Sequence, residues 1–564
     1  MTAAGTLSDL ETRLGDPDDA ANPLGTAAVL AADERGELLA DGETALADFG
    51  MNAEFVPAEL GGRLRTADGL ARTVRAVFRR DCTLGLGYGI TNFVAAAPVW
   101  TSGDDNQRRR LAGLLLGGGR AAAGYTELAH GNDFSRAELT ARPYRSSLLV
   151  DGRKELINNV GRAETLVLFT RTELRPGSRS HSHLMVDLTT LPSRTLRHLP
   201  RFHTSGVRGC MLGGVEFRDS PVPRAAMIGE QGGAMETVLR AFQTTRAVLP
   251  GVMVGVLDTQ LRIVLRFAAG RRLYGRTVAD LPHARAVLAG VFTDLLVADC
   301  LATVGARALH VLPAETSVPT AVVKYLVPKL LEDANHRLAV LLGARSFLRD
   351  GDCAMFQKNL RDLPVVSLAH AGAAVCQATI IPQLPRMAAA AWSGAEPAPA
   401  EVFRLDAALP PLRFDALEIT ARGRDRITAV LPAEAARADT DPRIAALCRV
   451  FAGELRRLRD DCRELPPRDR TVIAGPAAFA LADRYATLVA AAACVGVWRQ
   501  AESAFLRDPA WLEAALHRLA ARLGTAAGPT PAGLHEPLHA ELRRRLADAR
   551  TLDLGATRLA GATT

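Results

Sequence analysis

Apolar and polar residues along the 564-residue chain follow two rhythms, and the points where one replaces the other divide the sequence. Up to about residue 120, Ala- and Leu-rich segments recur at helical spacing between Gly and Pro breaks. The Gly-rich stretch 84–89 within them reads as a helix–helix connection. From residue 121 the segments shorten: 147–150, 165–169 and 183–186 are apolar or alternating, with turn signals at Asp151-Gly152 and Pro176-Gly177. They predict strands of an antiparallel β-domain ending near Pro223. From Met235 helical periodicity returns over 236–269, 282–308 and 320–342, lengths that suit a helical bundle. The Pro/Ala-rich patch 394–400 reads as a linker, and amphipathic helices follow over 443–458, 476–501 and 511–523. The expected architecture is α+β: an N-terminal helical domain (1–120), a central antiparallel β-domain (121–234), a helical bundle (235–392) and an extra helical extension (393–564).

Composition adds little that contradicts this. Hydrophobic residues are 48% and charged residues 23%, ordinary for a globular protein, and Ala, Leu and Arg favour helix. The formal charge of +7 is spread along the chain. The runs Arg108-Arg109-Arg110 and Arg543-Arg544-Arg545 read as solvated helix faces; no aromatics interleave with them, so no nucleic-acid partner is expected. The eight cysteines are scattered without a C-x-x-C pair, which predicts reduced thiols and a cytoplasmic setting. The apolar stretch 488–497 is too short to span a bilayer, and no membrane span is expected. His181 and His183 lack further ligands at metal spacing; they read as surface-loop residues, and no metal site is expected.

Chemistry enters through an ordered series of segments. Gly124-Tyr125-Thr126-Glu127-Leu128-Ala129-His130-Gly131-Asn132-Asp133 opens the β-domain, and its small residues let backbone N–H groups approach a flat ligand. Asp151-Gly152-Arg153-Lys154-Glu155-Leu156-Ile157-Asn158-Asn159 follows, then 214–223 and the Gly-rich 229–234. Ala241-Phe242-Gln243-Thr244-Thr245-Arg246 and Arg271-Arg272-Leu273-Tyr274-Gly275 complete the series. In order and spacing they resemble the acyl-CoA dehydrogenase and acyl-CoA oxidase superfamily, whose motifs read T-E-x-x-x-G-S-D, G-x-K-x-W-I-T-N, A-F-x-x-T/E-R and R-x-x-F-G. The Glu-Leu-x-His-Gly form of the first segment is similar to the oxidase branch.

The resemblance implies FAD as cofactor, contacted by Tyr125, Thr126, Gly131, Asn132, Asp133 and Asn158. It implies that Arg271, with Tyr274, reaches across a subunit boundary to the FAD pyrophosphate, where a guanidinium grips phosphate bidentately. Gly343 stands at a turn that contacts the partner's adenosine in relatives, so a homo-oligomer (a dimer or a dimer of dimers) is expected. Thr245 and Arg246 take substrate-binding positions, with an acyl-CoA or an acyl-carrier protein as the implied substrate. The size and helicity of 393–564 resemble the extra domain of the oxidases.

Three departures bear on the reaction. Leu156 replaces the Trp that flanks the flavin. The turn around Gly343 lacks its Gln and one Gly. The Glu that removes the substrate's α-proton is missing: counting from Arg361-Asp362 puts His370 in its place, and the alternative position holds Thr245. Desaturation of an acyl thioester with His370 as the base, oxygenation on the same fold, and a non-redox acyl-binding or partner subunit all remain open readings.

Overall fold

The two rhythms of the sequence become two kinds of structure. The computed structural model describes residues 6–560 apart from His370 and Ala526. It divides into two compact units, Met1–Arg65 with Arg72–Thr245, and Thr66–Ala71 with Arg246–Thr564.

In the first unit, helices lead into a sheet of eight strands: β1 (Ala121–Gly124), β2 (Thr140–Tyr144), β3 (Ser147–Asn158), β4 (Thr165–Arg171), β5 (His181–Asp187), β6 (Leu196–Leu199), β7 (Leu212–Pro223) and β8 (Met227–Ile228). The order β6-β7-β3-β2-β4-β5-β8 is largely antiparallel. Two ladders depart from the expected pattern: β2 meets β4 in a single parallel pair, Thr140 opposite Arg171, and β1 runs parallel to β4, Ala121 opposite Thr165. A complete hairpin, β2–β3, separates β1 from β4 in sequence, and so they can run the same way. Alternating residues of the ladder fill the core, with Val150, Leu166, Leu168, Leu184 and Val215 fully buried. Each such side chain contributes about 1.5–3 kcal/mol of burial. Asn92 ties helix to sheet: its amide donates to Asn52 Oδ1 at 2.8 Å and its Oδ1 accepts from Ala121 N at 2.9 Å.

The glycine-rich 84–89 is not a connection. Cys82–Leu84 continues through a π-helical turn, Gly85–Ile90, into the Thr91–Ser102 helix. Asp81 caps the start by accepting from Thr83 N and Leu84 N, and the glycines serve packing. A Cβ on Gly85 would stand 2.4 Å from the Phe78 ring. Close approach between segments, rather than chain reversal, is what these glycines provide.

The second unit is helical. Pro282–Val311 and Ser317–Leu342 pack against each other and against Pro476–Gln500, and His535–Ala547 packs on Pro282–Val311; Pro476–Gln500 and His535–Ala547 come from the C-terminal extension. By length and composition alone, five helical stretches could cross a membrane; the apolar window of Pro282–Val311 is 89% buried inside the protein.

Buried polar groups bind the extension to the bundle. Arg307 pairs with Asp68 at 2.9 Å and donates to the carbonyls of Glu401 at 2.9 Å and Ala407 at 2.8 Å. His310 Nε2 accepts from Ala67 N at 3.0 Å, which leaves Nδ1 to donate to Pro410 O at 2.8 Å. Farther on, Asp258 accepts from Leu552 N and Asp299 from Leu554 N, both at 2.9 Å. Arg545, expected on a solvated face, is buried; it pairs with Glu541 at 2.7 Å, donates to Asp553 O at 2.6 Å, and lies over the Phe505 ring. Its neighbour Arg544 stays outside, because a helix face is set by what packs on it and adjacent residues point apart.

Candidate functional site

The loop after β1 is held from beneath by one buried ion pair. Lys154 of β3, fully buried, meets Glu127 Oε1 at 2.8 Å and donates to Tyr125 O at 3.1 Å. Glu127 also accepts from Glu138 N at 2.8 Å and Leu139 N at 3.1 Å. Burial works against both charges. The Lys154 ammonium and the two N–H donors nevertheless hold the Glu127 carboxyl below its ordinary range. Burial lowers Lys154, with Glu127 opposing. The backbone closes the connection, since Glu155 N donates to Thr126 O at 2.9 Å. Gly131 turns the loop at φ +54°, and Gly131, Asn132 and Asp133 are exposed while Thr126 is half-buried.

Strand β3 is bulged where it faces this loop. The register against β7 shifts between Lys154 and Ile157, and Leu156 takes φ +55°. A left-handed residue with a Cβ costs about 1–2 kcal/mol, and such bulges re-aim side chains. Here the result is an outward Leu156, 39% exposed. Two residues on, Asn158 Nδ2 donates to Leu86 O at 3.1 Å and Thr91 Oγ1 at 2.9 Å. Its Oδ1 is buried and accepts no hydrogen bond among the described residues.

Tyr125 turns the other way. Its ring is buried against Phe134, Phe169, His183 and Phe242, with centroids 5.4–5.9 Å away, so its side chain is committed to the interior. This cluster corrects the reading of His181 and His183. Both lie in β5, fully buried, in a strand whose first six residues are all inside. Their alternation with Ser looked solvent-facing, but a strand covered on both faces shows no outward half. His181 stacks on Phe169 at 4.9 Å and shares hydrogen bonds with Ser180 Oγ and Ala137 O. Neither ring nitrogen of His183 has a partner among the described residues, and burial drives its pKa down to about 3.

The other predicted positions fall in or at the edge of the second unit. Arg271 precedes a two-stranded hairpin, β9 (Arg272–Leu273) and β10 (Arg276–Thr277). The turn residues Tyr274 and Gly275 have φ +52° and +77°, the pattern of a tight hairpin turn. Arg271 is exposed and Tyr274 is 91% exposed. Gly343, at φ +59°, ends the Ser317–Leu342 helix and is exposed. Thr245 is fully buried and its hydroxyl donates to Phe242 O at 3.1 Å. Arg246 is 3% exposed. His370 lies outside the described residues.

The sequence reading missed Lys324. It sits in the Ser317–Leu342 helix, 1% exposed, and donates to the carbonyls of Val366 and Ala369. Ser367 between them donates to Glu332 of the same helix. The available signal was a lone Lys inside the apolar run 321–328.

The chain is similar to known proteins in sequence and in fold. Residues 232–382 match the family described as acyl-CoA dehydrogenase, C-terminal domain. The caffeyl-CoA reductase–Etf complex subunit CarC of Acetobacterium woodii is 23% identical over 270 residues, 48% of this chain and 70% of that protein. The short-chain specific acyl-CoA dehydrogenase of Homo sapiens is 24% identical over 234 residues, 41% of this chain and 56% of that protein. Among solved structures, an acyl-CoA dehydrogenase complexed with FAD from Bacillus anthracis superposes with TM-score 0.73 at 14% identity, covering 96% of this chain and 94% of its own. A prolyl acyl carrier protein oxidase superposes with TM-score 0.57 at 17% identity, covering 62% and 92%.

Proposed function

Since the chain belongs to the acyl-CoA dehydrogenase superfamily, we propose that it is an FAD-dependent oxidoreductase that desaturates an acyl thioester. The thioester is carried by CoA or by a carrier protein; relatives named for each carrier share the fold. The observation that carries the reading is the pairing of an outward Leu156 with the buried, unpartnered acceptor of Asn158, beside the loop that Lys154 and Glu127 hold in place. A flat heteroaromatic ring needs an apolar cover and a hydrogen-bond acceptor for its edge, and these residues fit it. Leu156 covers a ring without stacking on it, Asn158 accepts from it, and Thr126 with Gly131–Asp133 offers main-chain donors. Exposed Arg271, at the helix end just before the hairpin, suits a phosphate. Bound FAD supplies the two-electron acceptor for desaturation. His370, nine residues after Arg361, is proposed as the base.

A homodimer accompanies the proposal. Tyr274, Phe347 and Val340 of the second unit are 91%, 82% and 66% exposed, which favours an apolar interface there.

Oxygenation on the same fold has one observation in its favour. The residue at the alternative base position, Thr245, is sealed in its helix with its hydroxyl bonded to Phe242 O. The visible spectrum of the purified protein, before and after a panel of acyl thioesters, tests the proposal. Flavin absorbance bleached by a thioester supports desaturation. Oxygen consumption by the reduced protein without thioester bleaching supports oxygenation, and a colourless protein that takes up no FAD refutes both.

A further inference from the structure

Two cations are buried in the second unit with no counter-ion among the described residues. Arg246 is 3% exposed, its Nε is buried with no acceptor, and no ion pair engages it among the described residues. Lys324 is 1% exposed, and its two acceptors, Val366 O and Ala369 O, are neutral carbonyls that leave one of three ammonium protons over. The two lie close enough to repel each other, and Cys376, fully buried, is near both.

An uncompensated charge inside a protein loses its hydration with nothing in return, and two of one sign also repel. The surroundings respond in that sense. Burial lowers the Lys324 pKa to about 8, with Arg246 adding to the effect and Cys376 opposing it. A burial-raised Cys376 thiol supplies little negative charge, although both cations pull it down. Elsewhere in the same unit, buried cations do have acids: Arg307 has Asp68, Lys358 has Asp362, and Arg545 has Glu541. The vacancy is therefore local to this cluster. It adjoins segment 365–369, which Lys324 and Glu332 tie to their helix.

We propose that Arg246 and Lys324 form an anion subsite that takes a carboxylate carried by the acyl group, so that the substrate is the thioester of a dicarboxylic acid. This assignment rests on the acyl-thioester reading and narrows its substrate class. Arg246 fits the task because its planar fork meets both carboxylate oxygens, while Lys324 adds a single directed proton. The ligand completes the neutralisation that the protein leaves undone, so affinity and discrimination against neutral acyl groups share one cause.

The test uses the full-length holoprotein at fixed ionic strength. Perturbation of the flavin spectrum is titrated with glutaryl-CoA, its neutral methyl ester and butyryl-CoA. Glutaryl-CoA is expected to bind about 10- to 100-fold more tightly than its methyl ester, the range of charge-assisted hydrogen bonds. Arg246→Gln should abolish the difference, and Arg246→Lys should keep part of it. Equal binding of the charged and neutral thioesters by the unaltered protein overturns the subsite and leaves the flavoenzyme reading intact. If no thioester perturbs the spectrum, the flavoenzyme reading fails, and the subsite is judged by melting temperature. Stabilisation by free glutarate but not by glutaramide, lost in Arg246→Gln or Lys324→Met, upholds it; no stabilisation refutes it. An equal response to inorganic phosphate makes the cluster an indiscriminate anion site and overturns the carboxylate assignment. Should both variants fail to fold, the comparison of charged and neutral ligands on the unaltered protein decides.

Discussion

His183 gives the sharpest quantitative prediction. Its imidazole is fully buried between Tyr125 at 5.6 Å and Phe169 at 5.4 Å, both edge-on, and neither ring nitrogen finds a partner among the described residues. His183→Leu keeps the volume nearly constant and removes both polar atoms. Each unmade buried hydrogen bond costs about 1–3 kcal/mol, and the lost edge contacts return about 0.5–1.5 kcal/mol apiece. The first unit should therefore gain about 1–2 kcal/mol near pH 7.

The larger effect is on pH dependence. The folded-state pKa is about 3, chiefly from burial, with Lys154 and His181 adding repulsion. An unfolded histidine titrates near pH 6.5. Between those values the unfolded chain binds the proton and the folded chain does not, so stability falls as pH drops from about 6.5 towards 3. At about 1.36 kcal/mol per pH unit, His183 alone costs roughly 2 kcal/mol between pH 7 and pH 5, and the Leu variant escapes that loss. Hydrogen exchange read on peptides covering His181–Asp187 at both pH values reports the opening of this strand directly. Wild type and variant losing protection in parallel on acidification would refute the orphan-imidazole argument.

Three further outcomes follow from the same structure. Arg307→Met removes one partner of a buried pair and the hydrogen bonds to Glu401 O, Leu405 O and Ala407 O of the extension, and should cost about 3–5 kcal/mol; limited proteolysis should then cut between residues 394 and 413, and an unchanged digestion pattern would contradict the anchoring role. Arg271→Ala should weaken FAD retention about 10- to 100-fold with unchanged helicity by circular dichroism, the loss expected of a charge-assisted phosphate contact; wild-type FAD affinity would remove that role. His370→Ala should slow flavin reduction by the best thioester about 10²–10⁴-fold with FAD still bound; a full rate would place the base elsewhere.

The sequence by itself determined the elements and their order. Apolar spacing located the Pro282–Val311 and Ser317–Leu342 helices to within a few residues, because periodicity is a local property set by which face of an element is buried. Strand β7 ends at Pro223, near the expected end of the strand region, whereas β3 runs on through Asp151-Gly152, read as a turn, to Asn158. The motif loop from Thr126 to Asp133 was equally legible, since small residues and a left-handed Gly131 leave a mark on the chain itself.

What only the tertiary structure decided is the fate of individual polar side chains. Whether Arg307 is solvated or buried depends on Asp68, Glu401 and Ala407, each some hundred residues or more away. The same holds for Asp258, which waits for the main chain at Leu552, and for Arg545, buried beside an exposed Arg544. The Arg246–Lys324 cluster stands out for the opposite reason: folding brings its charges together and, among the described residues, supplies no acid. A sequence lists charges in order along the chain, whereas the free energy of each depends on which distant groups arrive next to it.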